Sequence, residues 1–151
     1  TLKHHTYNYY LVKKCSELAG RWDADSKTWV FPGIVADEVE KLDDYYNTEI
    51  ADYKITMLEE DSKCCESYDI EGYDIAKAWS RDSGAKLNDN IIWLAGEYRS
   101  GGSVKNWCTI LSKGSQFIIK LSKKIADELK NDSVLKINIF CNNLFKSLYI
   151  I

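Results

Sequence analysis

Four of the five tryptophans in this sequence lie beside cations: Trp22 and Trp29 with Arg21 and Lys27 in residues 20–32, Trp79 with Lys77, Arg81 and Lys86 in residues 76–86, and Trp107 after Arg99 and Lys105 in residues 98–107. An indole offers a flat face on which a base can stack, and an adjacent Lys or Arg can hold phosphate, so these eleven side chains have the chemistry of contact residues. Gly84, Gly101 and Gly102 sit in the second and third stretches, where glycine lets backbone amides converge on an anion. If both later loops fall at one end of a sheet, Lys77, Arg81, Lys86, Arg99 and Lys105 form a single basic patch whose binding weakens steeply with salt. The same residues also have a plain structural use. Trp22 and Trp29 facing each other across a hairpin would fill a small core, and the other two stretches would be polar loops between strands.

Catalytic chemistry has less to draw on. The glycine-to-lysine spacing fits neither a Walker loop nor a dinucleotide fingerprint. The only histidines are the adjacent His4 and His5, and Cys15, Cys108 and Cys141 lie in apolar or strand-like contexts far from them in sequence. Five cysteines without CxxC spacing argue against a zinc site, and the vicinal Cys64 and Cys65 read as ordinary thiols, with a redox pair as the alternative. Glu59, Glu60 and Asp61 read as solvated charge. No catalytic residue, metal or cofactor is expected, and a small nucleotide-dependent transferase is the third-ranked reading.

The elements that must position these residues follow from periodicity. Residues 10–19 carry apolar side chains at helical spacing (Tyr10, Leu11, Cys15, Leu18, Ala19) and end at Gly20. The period then changes to two around Trp22 and residues 27–31, predicting a hairpin closed by Pro32 and Gly33. A second helix is predicted from Ile34, with Ile34, Val35, Val39, Leu42 and Tyr46 inward. One strand is expected at 53–58 within an acid-rich stretch, then strands at 91–95, 107–111 and 116–121, the last two as a hairpin through Lys113, Gly114 and Ser115. A helix at 123–130 capped by Ser122, a strand at 134–140 and an apolar tail ending Leu148, Tyr149, Ile150 and Ile151 complete the chain. The expected fold class is α+β: a helix-hairpin-helix module at 1–48, an acidic connecting segment at 49–72, and a β-rich domain at 73–151 with one short helix.

Composition sets the class of partner. The 151 residues are 45% hydrophobic and 28% charged with one Pro, which is a globular and not a low-complexity profile. No apolar run approaches the roughly 20 residues of a bilayer span, and the first ten residues are too polar for a secretory leader, so no membrane contact and a cytoplasmic location in a host cell are expected. The net charge of −3 conceals a division: residues 1–75 hold eight Lys/Arg against seventeen Asp/Glu, a net of −9, and residues 76–151 hold twelve against six, a net of +6. Such halves either complement each other internally or engage partners of opposite sign.

The string Gly20, Arg21, Trp22, Asp23, Lys27, Trp29, Phe31 resembles a small hairpin module that recurs in phage and plasmid proteins, including plasmid primases and antirestriction-type proteins, and is similar to a stretch of the HARP domain of annealing helicases. The likeness covers about the first third of the chain. It implies a mobile-element setting and work near nucleic acid. Combined with the charge division, the expected function is non-catalytic binding and inhibition of a host nucleoprotein defence complex, of anti-CRISPR or antirestriction type. The alternative is a single-stranded nucleic-acid binding or annealing accessory protein.

Overall fold

Strands are the main regular structure of this chain, and the helices are short. The computed structural model describes residues 1–141; the apolar tail read at Leu148 to Ile151 lies outside them. In chain order the elements are α1 (Tyr9–Glu17), β1 (Arg21–Asp23), β2 (Thr28–Val30), a single 3-10 turn (Gly33–Val35), α2 (Ala36–Asn47), β3 (Ala51–Met57), β4 (Asp61–Cys64), β5 (Tyr68–Ile70), β6 (Tyr73–Ala78), β7 (Ala85–Leu87), β8 (Ile92–Ala95), β9 (Tyr98–Gly102), β10 (Trp107–Leu111), β11 (Gln116–Leu121), α3 (Lys123–Leu129) and β12 (Leu135–Ile139). They form four small antiparallel sheets, ordered β1-β2, β4-β10-β9, β12-β3-β11-β8 and β5-β6-β7.

The expected α+β arrangement is therefore corrected to a mostly β fold, and no separate helix-hairpin-helix module forms. The reason is where the first elements find their hydrogen bonds. Asn8, fully buried, caps α1 by accepting from the Leu11 amide (3.0 Å) and donates its Nδ2–H to the Glu71 carbonyl (2.9 Å). The Tyr9 amide donates to the Gly72 carbonyl (2.9 Å), so α1 starts on the turn between β5 and β6. Gly72 has φ +87°, and a Cβ there would run into Asn8 Oδ1. At the other end of the segment, α2 lies against α3: Tyr45 donates to Glu128 (2.6 Å), Ser122 Oγ donates to the Tyr45 carbonyl (2.6 Å), and Lys124 pairs with Asp44. One set of buried side chains runs from Leu2 to Ile137 through all of these elements.

The four-stranded sheet is the centre of that core. In β3 the side chains of Tyr53, Ile55 and Met57 point inward by strict alternation, and Ile55 is flanked by Phe117 of β11 and Ile137 of β12. Ser122 caps α3 as expected, and Ile125, Ala126 and Leu129 are buried beneath it. Ile34, expected inward, is 91% exposed, because the 3-10 turn precedes α2 and rotates it away from the face carrying Val39 and Tyr46.

The strands at 107–111 and 116–121 form, but they do not pair with each other. β10 pairs with β4 and β9, and β11 pairs with β3 and β8. The Gly114 amide donates to the Met57 carbonyl (2.8 Å) and the Met57 amide to the Ser115 carbonyl (2.8 Å), so the turn is a corner that hands the chain from one sheet to the next.

The cysteines are also corrected. Cys64 and Cys108 stand opposite each other in the β4–β10 register and are joined in a disulfide, leaving Cys15 buried and Cys65 and Cys141 exposed as free thiols. The vicinal pair is not the bonded one. Disulfides persist in oxidising compartments, so this bond and the expected host cytoplasm pull in opposite directions.

Candidate interaction surfaces

Arg21 and Trp22 on β1 and Trp29 on β2 are held by a short hairpin whose turn is built by Asp23. Its carboxylate accepts from the Asp25 amide (3.1 Å) and from Ser26 Oγ (2.6 Å), and the Ser26 bond is the main reason its carboxyl sits below the ordinary range. Lys27 closes the turn in the left-handed region (φ 55°). Trp22 and Trp29 are directly opposed, their rings edge-on with centroids 5.8 Å apart. Trp29 is core: its backbone bridges to Leu2 in both directions (2.9 and 2.8 Å), and its indole N–H is buried without a hydrogen-bond partner among the described residues. Trp22 is half exposed, but His4 is stacked on it at 5.2 Å. Arg21 and Lys27 are exposed and have no carboxylate partner among the described residues. This end of the molecule thus offers one indole already shared with an imidazole, flanked by two free cations.

The second group is only partly assembled. Lys77 of β6 stands directly opposite Lys86 of β7, a like-charge pair that costs stability where it stands. Trp79 follows β6 at once, is 53% exposed, and has the Lys77 ammonium 5.9 Å from its ring centre. The turn that presents it is organised by Ser83, whose Oγ accepts from the Trp79 and Ser80 amides (3.0 and 3.1 Å), with Gly84 at φ +72°. Lys77, Trp79, Lys86, Ser67, Asp74 and Asn88 line a cleft of about 180 Å³.

The other cations separate from this cleft chemically. Arg81 is held by Asp82 through two hydrogen bonds (3.2 and 3.0 Å), and Arg99 pairs with Glu60. Lys105 is exposed in the turn between β9 and β10, and Trp107 is half-buried at the start of β10. Ser100 ties the two loops together, accepting from the Gly84 amide (2.8 Å) and donating to the Arg81 carbonyl (2.9 Å). Of the five cations, Lys77 and Lys86 share the Trp79 cleft, while Arg81 and Arg99 are neutralised within the chain.

Two further surfaces are the acidic face of α2, which helical spacing in the sequence already sets apart from the apolar side, and a hollow beside α1. On α2, Asp37, Glu38, Glu40, Asp43 and Asp44 are all exposed, opposite the buried Val39 and Tyr46. Asp44 pairs with Lys124 and Asp43 accepts from Asn47 (2.9 Å), whereas Asp37, Glu38 and Glu40 have no polar partner among the described residues. Ser67 and Asp74, which line the Trp79 cleft, also line a second hollow bordered by Tyr7, Tyr9 and Tyr10. Asp69 and Asp74 are cross-strand partners there. Lys63 is bound to Asp69, which also accepts from the Gly72 amide (3.1 Å), while Asp74 has no ion-pair or hydrogen-bond partner among the described residues. Burial, and then the Asp69 charge, hold the Asp74 carboxyl above the ordinary range. The Asp37-to-Asp44 acid run was legible as charge; Asp74 and the tyrosines become a site only when β5 and β6 meet α1.

No protein-family model, curated protein or solved structure matches the chain. Among the described residues, no helix is long and apolar enough to cross a membrane and no group of three or more His, Cys, Asp or Glu side chains could hold a metal ion.

Proposed function

We propose that this protein acts by binding, without catalysis, as a phage- or plasmid-type inhibitor that occupies the basic nucleic-acid surface of a host nucleoprotein defence complex. The observation that carries this reading is the outward face of α2. Successive helical turns advance by about 5.4 Å, so Asp37 and Glu40 stand about one turn apart in a row of exposed carboxylates, with Glu38 and Asp43 flanking it; the exposed Lys41 lies on the same side, and Asp44 beyond it is paired with Lys124. A row of closely spaced anions attracts the cationic groove that normally holds phosphate. Exposed Ile34 at the start of the helix adds an apolar anchor, a combination suited to a specific interface. The net charge of −9 over residues 1–75 extends the same field, and the hairpin resemblance supplies the mobile-element setting.

The test is competition. Purified protein is mixed with a CRISPR effector or restriction complex from its host, and displacement of bound DNA is followed by mobility shift. Supporting results are stable co-elution and DNA release; absence of co-elution with every defence complex the host encodes overturns the reading.

A second reading, single-stranded nucleic-acid binding, is favoured by the Lys77, Trp79 and Lys86 cleft. Titration of labelled oligothymidylate at two salt concentrations discriminates: quenching of Trp fluorescence that is lost in Lys77→Ala and Lys86→Ala variants supports this reading against the first.

A further inference from the structure

The hollow beside α1 has the makings of a cation site. Tyr7, Tyr9 and Tyr10 are 51%, 56% and 43% exposed, and their hydroxyls make no hydrogen bond with any described residue; the Tyr9 and Tyr10 rings meet edge to face (6.1 Å) and Tyr10 rests against Gly72, which fixes them while leaving ring surface outward. With Lys63, Glu66, Asp69 and Asp74 they border a space of about 320 Å³. The faces of aromatic rings are electron-rich and attract cations. Asp74 is half-buried and unpaired, which is an unfavourable state for a carboxylate unless something completes it. Lys63 is not available for that purpose, since Asp69 holds it.

Phosphate is a poor occupant, because Glu66, Asp69 and Asp74 outnumber the one engaged lysine. An uncharged apolar segment would leave Asp74 unpaired and bury it further. A planar guanidinium satisfies both demands, stacking on a phenol ring while donating two hydrogen bonds to a carboxylate.

We propose that the cleft between α1 and the β5–β6 turn receives an arginine side chain of a partner protein, with Asp74 as its carboxylate and Tyr7, Tyr9 and Tyr10 as its aromatic walls. The inference deepens the binding reading above, naming the chemistry of one contact with a basic protein surface. A ligand that replaces water around Asp74 binds best with the carboxylate ionised, so affinity falls as pH is lowered through the raised Asp74 range.

The test uses the full chain at pH 7 and two peptides, acetyl-Gly-Arg-Gly-amide and the same peptide with neutral citrulline, with binding read from the tyrosine ring resonances by NMR. The expected result is saturable, millimolar-range binding of the arginine peptide that shifts the Tyr7, Tyr9 and Tyr10 signals, with citrulline at least about tenfold weaker. Asp74→Asn brings the arginine peptide down to the citrulline level, and Tyr9→Leu, at an exposed position, weakens it several-fold. Equal binding of the two peptides, no binding of either, indifference to Asp74→Asn, or oligothymidylate shifting the same tyrosine signals each overturns the proposal. Peptide binding without capture of any defence complex would instead overturn the inhibitor reading alone. Capture that is unchanged by Asp74→Asn, with no peptide binding, would overturn the arginine site alone.

Discussion

Ala19 and Asp74 both stand in states that cost stability, and each predicts the sign of a substitution. Ala19 occupies the left-handed position after α1 (φ 58°): its amide donates to the Ser16 carbonyl (3.1 Å) and the Gly20 amide to the Cys15 carbonyl (2.9 Å), the double bond pattern that commonly ends helices with glycine. A Cβ in this conformation costs about 1 kcal/mol, so Ala19→Gly is expected to raise unfolding free energy by roughly that amount in urea titrations. The sequence points to Gly20 as the terminator, one position late. Gly20 is needed for another reason, since a Cβ there would lie 2.6 Å from the Phe31 ring and 2.7 Å from the Cys15 carbonyl. Asp74 is the second case. Its folded pKa lies above the unfolded value, so its protonated form favours the fold at low pH and that contribution is lost as pH rises through the folded pKa. Asp74→Asn is therefore expected to raise the melting temperature at pH 7, with the advantage vanishing below about pH 4, where the unfolded carboxyl is also protonated. A variant that gains stability while losing the arginine peptide separates contact from scaffold.

Elements were readable where local chemistry decides them and unreadable where distant partners do. The branched and aromatic runs at 107–111 and 116–121, and the Ser122 cap of α3, are local signals, and these elements form at those positions. Which strand lies beside which is set by contacts far apart in sequence, such as Phe117 beside Ile55, and a Gly-containing turn between two strands looks the same whether it closes a hairpin or turns a corner between sheets. The Cys64 to Cys108 bond is hidden for the same cause, being 44 residues apart in sequence. Because it ties the edge strand β4 to β10, Cys64→Ser with Cys108→Ser is expected to lower stability by about 2–4 kcal/mol in the absence of reductant. Thiol titration of the denatured, unreduced protein should find three free thiols; five would show that the strands pair without the bond.

Across the whole molecule, charge is divided between internal use and display. Lys124 and Asp44, Arg99 and Glu60, and Lys63 and Asp69 are spent inside the chain. Asp37, Glu38, Glu40, Arg21, Lys27, Lys77 and Lys86 are exposed without ion-pair partners among the described residues. The overall −9 and +6 halves were plain from composition, but which charges remain for a partner depends on pairings such as Lys124 with Asp44, 80 residues apart. In the proposed inhibitor the decisive contact lies on α2. Its most direct test is the double variant Glu40→Lys, Asp43→Lys, which reverses exposed charge while leaving Asp37 and Glu38 to favour the helix N-terminus. In the DNA-displacement assay this variant is expected to lose at least about tenfold in potency, with Lys77→Ala, Lys86→Ala left near wild type. Full potency after reversal on α2, with loss confined to the two lysine substitutions, would contradict a decisive contact there.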